Sequence, residues 1–319
     1  MPAHDADLGT AEPAATLLPT AADDAGGADP GTVASRGARR RKLGVSGYLA
    51  MGWLVFVTLA ALLAPILPLD DPDENVASIV NQGPGTDGHL LGGDSLGRDL
   101  LSRMVWGARA SLLLGASSVL FGLVVGGLLG LSAGYFRGRA DTVLTGAFDV
   151  LLSFPQLILA LTLVTVFASG EGTSATRRMV VLILALGVVS IPVLARITRA
   201  NTMAWSEREF VLAARAMGAK DRQIMFGEVL PNVLPAMFSI ALLGVAVVIV
   251  AEGGLSLLGV GVQPPTPSWG NILAEGRAEL RDAPHIVLIP TIVIFLTVLA
   301  LNYLGDVVRA RFDVRESAL

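Results

Sequence analysis

Residues 110–134 read ASLLLGASSVLFGLVVGGLLGLSAG, a stretch without a single charged side chain. An α-helix rises about 1.5 Å per residue, so a run of this length can cross a hydrocarbon core of about 30 Å. Gly122, Gly126 and Gly130 recur at every fourth position, and this G-x-x-x-G spacing lets another helix approach closely. The spacing leaves open whether that helix belongs to the same chain or to a partner. The stretch predicts a transmembrane helix with a closely packed neighbour.

The composition of the whole chain is that of an integral membrane protein. Hydrophobic residues make up 53% of the 319 and charged residues 16%, whereas soluble domains carry about 25% charged residues. The mean hydropathy is +0.65. Because the chain has no cysteine and its three histidines, His4, His89 and His285, are far apart in sequence, we predict neither a disulfide framework nor a metal centre.

Six apolar runs predict six transmembrane helices and an all-α fold. They lie near 47–69, 110–134, 143–168, 179–200, 233–251 and 285–308. A cleaved signal peptide is the alternative for the first run, but its apolar region would be only about 7–15 residues long. Prolines 155, 192 and 290 fall within spans, where we expect kinks repaired by neighbouring helices rather than the broken helices of a carrier site.

The segments outside the spans complete the predicted organisation. Residues 1–42 are poor in large apolar side chains and predict a disordered cytoplasmic tail, which leaves 43–319 as one six-span domain. With the N-terminus inside, 16 of the 23 Lys and Arg residues fall on the cytoplasmic side, as the positive-inside rule requires. Both termini and the loop 201–232 are therefore predicted to be cytoplasmic.

The cytoplasmic segment EFVLAARAMGAKDRQIMFGEVLPN, residues 209–232, predicts two short helices joined at a bend. Ser206 and Glu209 have the spacing of a capping box, which would start the first helix. Gly218 supplies the left-handed residue that closes a helix, and Asp221 can cap the second. Pro231, together with Pro235, is expected to interrupt the backbone at the mouth of the fifth span.

One face of the first short helix is predicted to be apolar. Phe210, Ala214 and Met217 fall at positions i, i+4 and i+7, which share one side of a helix. Two interpretations remain open. The stripe packs on lipid or on the protein's own helices, or it docks into a groove of another protein.

The predicted external loops carry a second set of candidates. Asp94, Arg98 and Asp99 can form a local ion-pair cluster, which as a surface feature would contribute about 0–1 kcal/mol and serve orientation rather than stability. The proline-rich segment 252–284, with Trp269, predicts a rigid loop with a short helix around 270–281. Three acidic residues, Asp149, Glu252 and Asp306, lie at or near span ends, where we expect structural or solvated roles rather than a proton relay.

Several stretches resemble the permease subunits of binding-protein-dependent ABC importers, specifically the C-type subunit of the dipeptide/oligopeptide/nickel group. AARAMG at 213–218 with LP at 230–231 is similar to the EAA loop of that family, although Leu212 stands where many members carry Glu. The further blocks are LGGDSLGRDLLSRMVWGARASL at 91–112, LLSFPQLILAL at 151–161, SIPVLARITRA at 190–200, LSLLGVGVQPPTPSWGNIL at 255–273 and NYLGDVVRARFDVR at 302–315. Gly93 and Val314 replace a common Thr and Pro.

The resemblance implies a type I ABC importer permease fold in a bacterial plasma (inner) membrane. It implies a second homologous permease subunit, two cytoplasmic ATPase subunits and an extracellular or periplasmic solute-binding protein as partners, besides membrane lipid and without nucleic acid. The implied ATPase-coupling residues are Glu207, Glu209, Ala213, Ala214, Gly218, Asp221, Leu230 and Pro231. The implied outward contacts are Asp94, Arg98, Asp99 and Trp269. A peptide is the implied cargo, with nickel chelates or another small solute as alternatives.

The chain itself lacks an ATP-binding motif. Its only lysines, Lys42 and Lys220, follow Arg and Ala, so no G-x-x-x-x-G-K-[ST] loop is present. We therefore expect a subunit without catalytic, metal-binding or cofactor-binding residues, driven by ATP that its partners hydrolyse. An ion-coupled secondary carrier is the alternative from another class, but it would usually show an internal repeat, and no convincing repeat is visible. A membrane scaffold without transport is a third possibility, and it gives no reason for a cytoplasmic docking segment.

Overall fold

Long apolar helices make up most of the protein. The computed structural model describes residues 44–168 and 174–316, and these contain no β-strand. The α-helices are α1 (Val45–Leu63), α2 (Leu100–Phe136), α3 (Gly138–Ser153), α4 (Gln156–Ala168), α5 (Ala175–Ser206), α6 (Glu209–Ala216), α7 (Asp221–Gln223), α8 (Leu230–Leu257), α9 (Trp269–Gly276) and α10 (His285–Glu316). A π-helical turn, Ile224–Val229, joins α7 to α8. The all-α prediction is confirmed, and the predicted tail 1–42 lies outside the described residues.

Five helices are long and apolar enough to cross a membrane, and a bent pair would be the sixth span. The pair is α3 and α4, which meet at an angle of 87° where a single span over 143–168 is predicted. The helix breaks at Phe154, which is extended and precedes Pro155. A residue before proline avoids the helical region, and proline has no N–H to donate to the helix. The expected repaired kink at Pro155 is therefore wrong, whereas Pro192 and Pro290 do lie inside continuous helices.

The helix that packs closely on the glycines of α2 is α5, so the neighbour predicted from the G-x-x-x-G spacing belongs to the same chain. A Cβ atom added to a glycine of α2 would meet a backbone carbonyl oxygen of α5, and the same geometry repeats four times at intervals of four residues. The pairs are Gly122 with Gly187, Gly126 with Ile191, Gly130 with Ala195 and Gly134 with Arg199. Small residues at this interface bring the two backbones together, as in close helix pairs within membranes.

The hydrophobic core extends from the spans into the cytoplasmic segment. Leu114, Leu131 and Leu182, on α2 and α5, belong to the same buried cluster as Val211 and Val229 of the segment after α5. A second cluster joins α1, the start of α2, α8, α9 and α10, and Trp269 is its largest fully buried side chain. The first cluster positions the segment 207–231, and the second positions the loops before α2 and after α8.

Candidate functional site

The coupling segment, defined here as residues 207–231, begins at a break after α5. Ser206 is the last residue of α5, and its hydroxyl donates to the Thr202 carbonyl oxygen at 2.6 Å. The predicted capping box is therefore wrong, because the hydroxyl is already committed to the preceding turn. Helix α6 begins at Glu209 after the extended residue Arg208. It closes as predicted at Gly218, whose φ of 84° is left-handed.

The second half of the coupling segment is continuous with the span that follows. Asp221 is the first residue of α7 rather than its cap, and the Gln223 side chain accepts a hydrogen bond from the Lys220 amide at 3.1 Å. In the π-helical turn, the Leu230 amide bonds to the Met225 carbonyl, five residues back. The predicted interruption at Pro231 and Pro235 is absent, since both prolines lie within the continuous helix Asp221–Leu257, just after the π-helical turn.

The coupling segment separates its apolar side chains into a buried set and an exposed set. Val211 is fully buried and Ala214 packs against the same core, so the inner face of α6 follows an i, i+3 spacing. The large apolar side chains that remain exposed are Phe210 (39%), Leu212 (52%), Met217 (82%) and Phe226 (41%). The predicted stripe of Phe210, Ala214 and Met217 is therefore wrong as a single face.

The other residues expected to couple to the ATPase lie along the outside of the segment. The exposed ones are Glu207, Glu209, Ala213, Gly218, Asp221 and Pro231, whereas Leu230 packs on the core. Glu207 pairs with Arg137 at 2.7 Å, so it anchors the start of the segment to the residue after α2. All of them lie in the segment that runs from the end of α5 to the first turn of α8.

A polar contact that the sequence did not reveal ties the coupling segment to α2. The Tyr135 hydroxyl donates to Asp221 Oδ1 at 2.8 Å, and the Arg215 guanidinium lies 5.9 Å from the centre of the Tyr135 ring. The hydrogen bond from Arg215 to the Tyr135 hydroxyl raises the pKa of the guanidinium. The available signal was the position of Tyr135 just beyond the apolar run 110–134, where an aromatic ring can lie in the core with its hydroxyl at the edge.

Of the predicted ion-pair cluster, the pair between Asp94 and Arg98 exists and is buried, whereas Asp99 pairs with His89 instead. Arg98 Nε lies 2.7 Å from Asp94 Oδ2, and Arg98 Nη2 lies 2.6 Å from Glu275 Oε2. Arg103, which sequence reasoning missed, contacts both carboxylates and is 1% exposed, as is Asp94. Because these charges are buried, the stabilisation expected of a surface cluster does not apply to them. Removing one partner from a buried pair is strongly destabilising.

Asp99 and Trp269 have structural partners within the chain. Asp99 caps α2, accepting from the Ser102 amide at 2.7 Å, and its other oxygen lies 2.9 Å from His89 Nδ1. The Trp269 indole is 1% exposed and donates to the Met104 carbonyl oxygen at 3.1 Å. These positions place the Trp269 side chain in the core, where it is out of reach of an outward partner.

Glu252, Asp70 and Asp99 have partners within the chain as well. Buried Glu252 accepts from the hydroxyls of Ser256 and Ser268 at 2.8 and 2.9 Å, which links α8 to the cap of α9. Among the described residues, the ligand atoms of Asp70, His89 and Asp99 lie within 4.8 Å of one another. Both Asp99 oxygens already have partners within the chain, because one lies next to His89 Nδ1 and the other accepts from the Ser102 amide at the start of α2.

Comparison with known proteins identifies the kind of molecule that shares this architecture. The family described as binding-protein-dependent transport system inner membrane component matches residues 126–317. The glutathione transport system permease protein GsiD of Pectobacterium atrosepticum is 38% identical over 260 residues, covering 82% of this chain and 83% of that protein. The di/tripeptide transport system permease protein DppC of Pseudomonas aeruginosa is 39% identical over 272 residues, covering 83% and 87%.

A solved structure shares the fold. An inward-facing conformation of the MetNI methionine ABC transporter aligns with a TM-score of 0.54 over 66% of this chain and 97% of that chain, at 22% sequence identity. The alignment concerns the arrangement of helices alone, and it confirms the predicted ABC importer permease fold.

Proposed function

This chain belongs to the binding-protein-dependent transport system inner membrane component family as a permease subunit, and from that premise we propose how it is energised and what it carries. It forms half of the pathway through which an ABC importer moves di- or oligopeptides across the membrane. Its energy comes from separate ATPase subunits, which it contacts through the coupling segment. The subunit is itself non-catalytic and holds no cofactor.

The observation that carries this proposal is the division of the coupling segment into a buried face and an exposed apolar face. Val211 and Val229 are fully buried, so the segment moves together with the helices on which it packs. Leu212 and Met217 point away from that core, with 52% and 82% of their surfaces exposed. A short helix with exposed apolar side chains on a firmly anchored base suits docking into a groove of a partner.

Force applied to the docked segment would reach the spans through two routes. One is the continuous helix Asp221–Leu257, and the other is the Tyr135–Asp221 hydrogen bond to α2. When the ATPases close on ATP, a groove that binds α6 displaces both helices as nearly rigid bodies. Rigid-body movement of this kind switches access between the two sides of a membrane when the two states differ in their contacts.

The cargo is proposed from the relatives. The two permeases described above are named for glutathione and for di- and tripeptides, which favours small peptides over nickel chelates. The proposed assembly contains a second homologous permease, two cytoplasmic ATPases and an external solute-binding protein. We propose that both termini are cytoplasmic, since most Lys and Arg residues then fall on that side.

Copurification tests the coupling proposal. Met217→Glu changes an exposed side chain and leaves the core intact, so we expect it to abolish recovery of the ATPases with the detergent-purified permease. Leu90→Glu is the matched control, because Leu90 is 70% exposed in the loop before α2 and its change should leave recovery unaltered. Equal ATPase recovery with wild type and Met217→Glu would show that this face does not dock.

A further inference from the structure

A cavity of about 310 Å³ lies between the first turns of α5 and the segment that joins α8 to α9. One wall is formed by Arg178, Met179 and Leu182 of α5. The facing wall is the segment 262–266, on the predicted external side. The Gln263 side chain holds this wall in place by donating to the Gly259 carbonyl oxygen at 3.0 Å. The volume lies at the lower end of the range for small-molecule sites.

The cation in this cavity has an unpaired donor. Arg178 Nε is buried and has no hydrogen-bond partner, and none of the ion pairs among the described residues includes Arg178. A buried donor without an acceptor is costly, and such groups call for an explanation. The described residues lining the cavity include no Asp or Glu that could act as the acceptor.

The remaining lining is largely apolar. Met179, Leu182 and Val262 surround the cavity together with two prolines. A ligand suited to these walls has an anionic group at one end and an apolar group at the other. Guanidinium is planar, and its paired N–H groups match the two oxygens of a carboxylate.

We propose that this cavity is a binding site for the carboxylate of a small organic acid with an apolar side group, as at the C-terminal residue of a peptide, with Arg178 as the pairing cation. The assignment of that carboxylate to the cargo rests on the proposed function. The same chemistry is available from an acidic side chain of the solute-binding protein. In either case the site lies on the predicted external side, away from the coupling segment.

The test uses the complete transporter, purified with its partner permease and ATPases, and N-acetylphenylalanine as the probe. Its amide, N-acetylphenylalaninamide, is the uncharged control ligand. We expect calorimetry to show the acid binding about tenfold more tightly than the amide, the factor that corresponds to about 1.4 kcal/mol. Arg178→Gln should remove this preference, and Arg178→Lys should retain part of it. Arg177→Gln is the matched control, because Arg177 is the exposed neighbour on α5 and its change should leave the preference intact.

A second arm separates the two sources of the carboxylate by measuring the affinity of the cargo-free solute-binding protein for the same variants. Loss of the acid preference in Arg178→Gln alone supports a cargo site. If the probe shows no preference but Arg178→Gln weakens docking of the binding protein and Arg177→Gln does not, the carboxylate belongs to that protein. If neither quantity changes in a transporter that still hydrolyses ATP and imports solute, the carboxylate site is overturned and the proposed function stands. Failure of the ATPases to copurify with the wild-type chain would instead contradict the proposed function.

Discussion

At the scale of single residues, burial changes the role of the charges in the predicted external loops. Asp94, Arg98 and Arg103 are each at most 5% exposed, and Glu275 completes a group of two cations and two carboxylates. The group joins the loop before α2, the first turn of α2 and α9. Because Asp94, Arg98 and Arg103 are buried, each of these charges depends on its partners of opposite sign, and Glu275, whose side chain is 26% exposed, pairs with both arginines.

Arg103 is the residue whose loss should be most damaging to this group. Arg103→Met leaves two carboxylates with one cation, and we expect the free energy of unfolding to fall by about 3–5 kcal/mol, measured as a lower thermal midpoint in detergent. Arg109→Met is the control, since Arg109 is also on α2 but is exposed, with its guanidinium over the Trp106 ring. Adding Glu275→Gln to Arg103→Met restores the charge balance and should recover part of the loss. Equal thermal midpoints for Arg103→Met and Arg109→Met would contradict the role of burial.

At the scale of helices, the contact between α2 and α5 depends on the absence of side chains. A Cβ atom at Gly126 would lie 2.7 Å from the Ile191 carbonyl oxygen, and one at Gly134 would lie 2.6 Å from that of Arg199. These approaches are backbone to backbone, so no flexible side chain can move aside. The repeated four-residue spacing means that one obstruction would separate the helices along their common length.

Gly130→Ala tests this contact. The added methyl group would overlap the Ala195 carbonyl oxygen, and overpacking of this kind costs about 1–3 kcal/mol. We expect a lower thermal midpoint and a smaller yield of monodisperse protein on size-exclusion chromatography. Gly146→Ala should cause no loss, because nothing lies within 4 Å of a Cβ at that helical position. An unchanged midpoint for Gly130→Ala would show that the helices can separate without cost.

At the scale of the whole molecule, the proposed function requires links between the coupling segment and the spans. The coupling segment shares a core with α2, α5 and α8, and polar contacts from Tyr135 and Arg137 add a connection to the end of α2. A docking segment attached only to α8 would move one helix. The link to α2 also engages α5 through their close packing.

Tyr135→Phe should therefore reduce the amount of solute imported per ATP hydrolysed without reducing ATPase recovery. The ring remains in the core, and loss of the hydrogen bond to Asp221 costs only about 0.5–1.5 kcal/mol, so the variant should fold. Proteoliposomes containing the complete transporter allow uptake and hydrolysis to be measured together. Tyr303→Phe is the control, because it removes a tyrosine hydroxyl that bonds to Ser46 on α1. Identical ratios for wild type and Tyr135→Phe would exclude this link as a route of coupling.

Sequence reasoning succeeded where the relevant physics is local. An uninterrupted apolar run such as 110–134 identifies a span, because hydrocarbon favours a helix whose backbone bonds are all internal. Gly218 was predicted correctly, since a left-handed residue at a helix end is a property of a few neighbouring residues. Ser206 and Asp221 were predicted incorrectly as caps because other partners, the Thr202 carbonyl and the Tyr135 hydroxyl, bind their side chains.

The sequence by itself therefore determined the helical class, most of the spans and the position of the two short helices joined at Gly218, all of which follow from hydropathy and short-range backbone preferences. Tertiary structure alone decided that α5 is the neighbour of the α2 glycines, that Arg103 balances Asp94 and Glu275, and which side chains of α6 are left exposed. Burial and charge pairing depend on residues far apart in the chain, such as Arg103 and Glu275. Their spacing in the sequence carries no information about their distance in space.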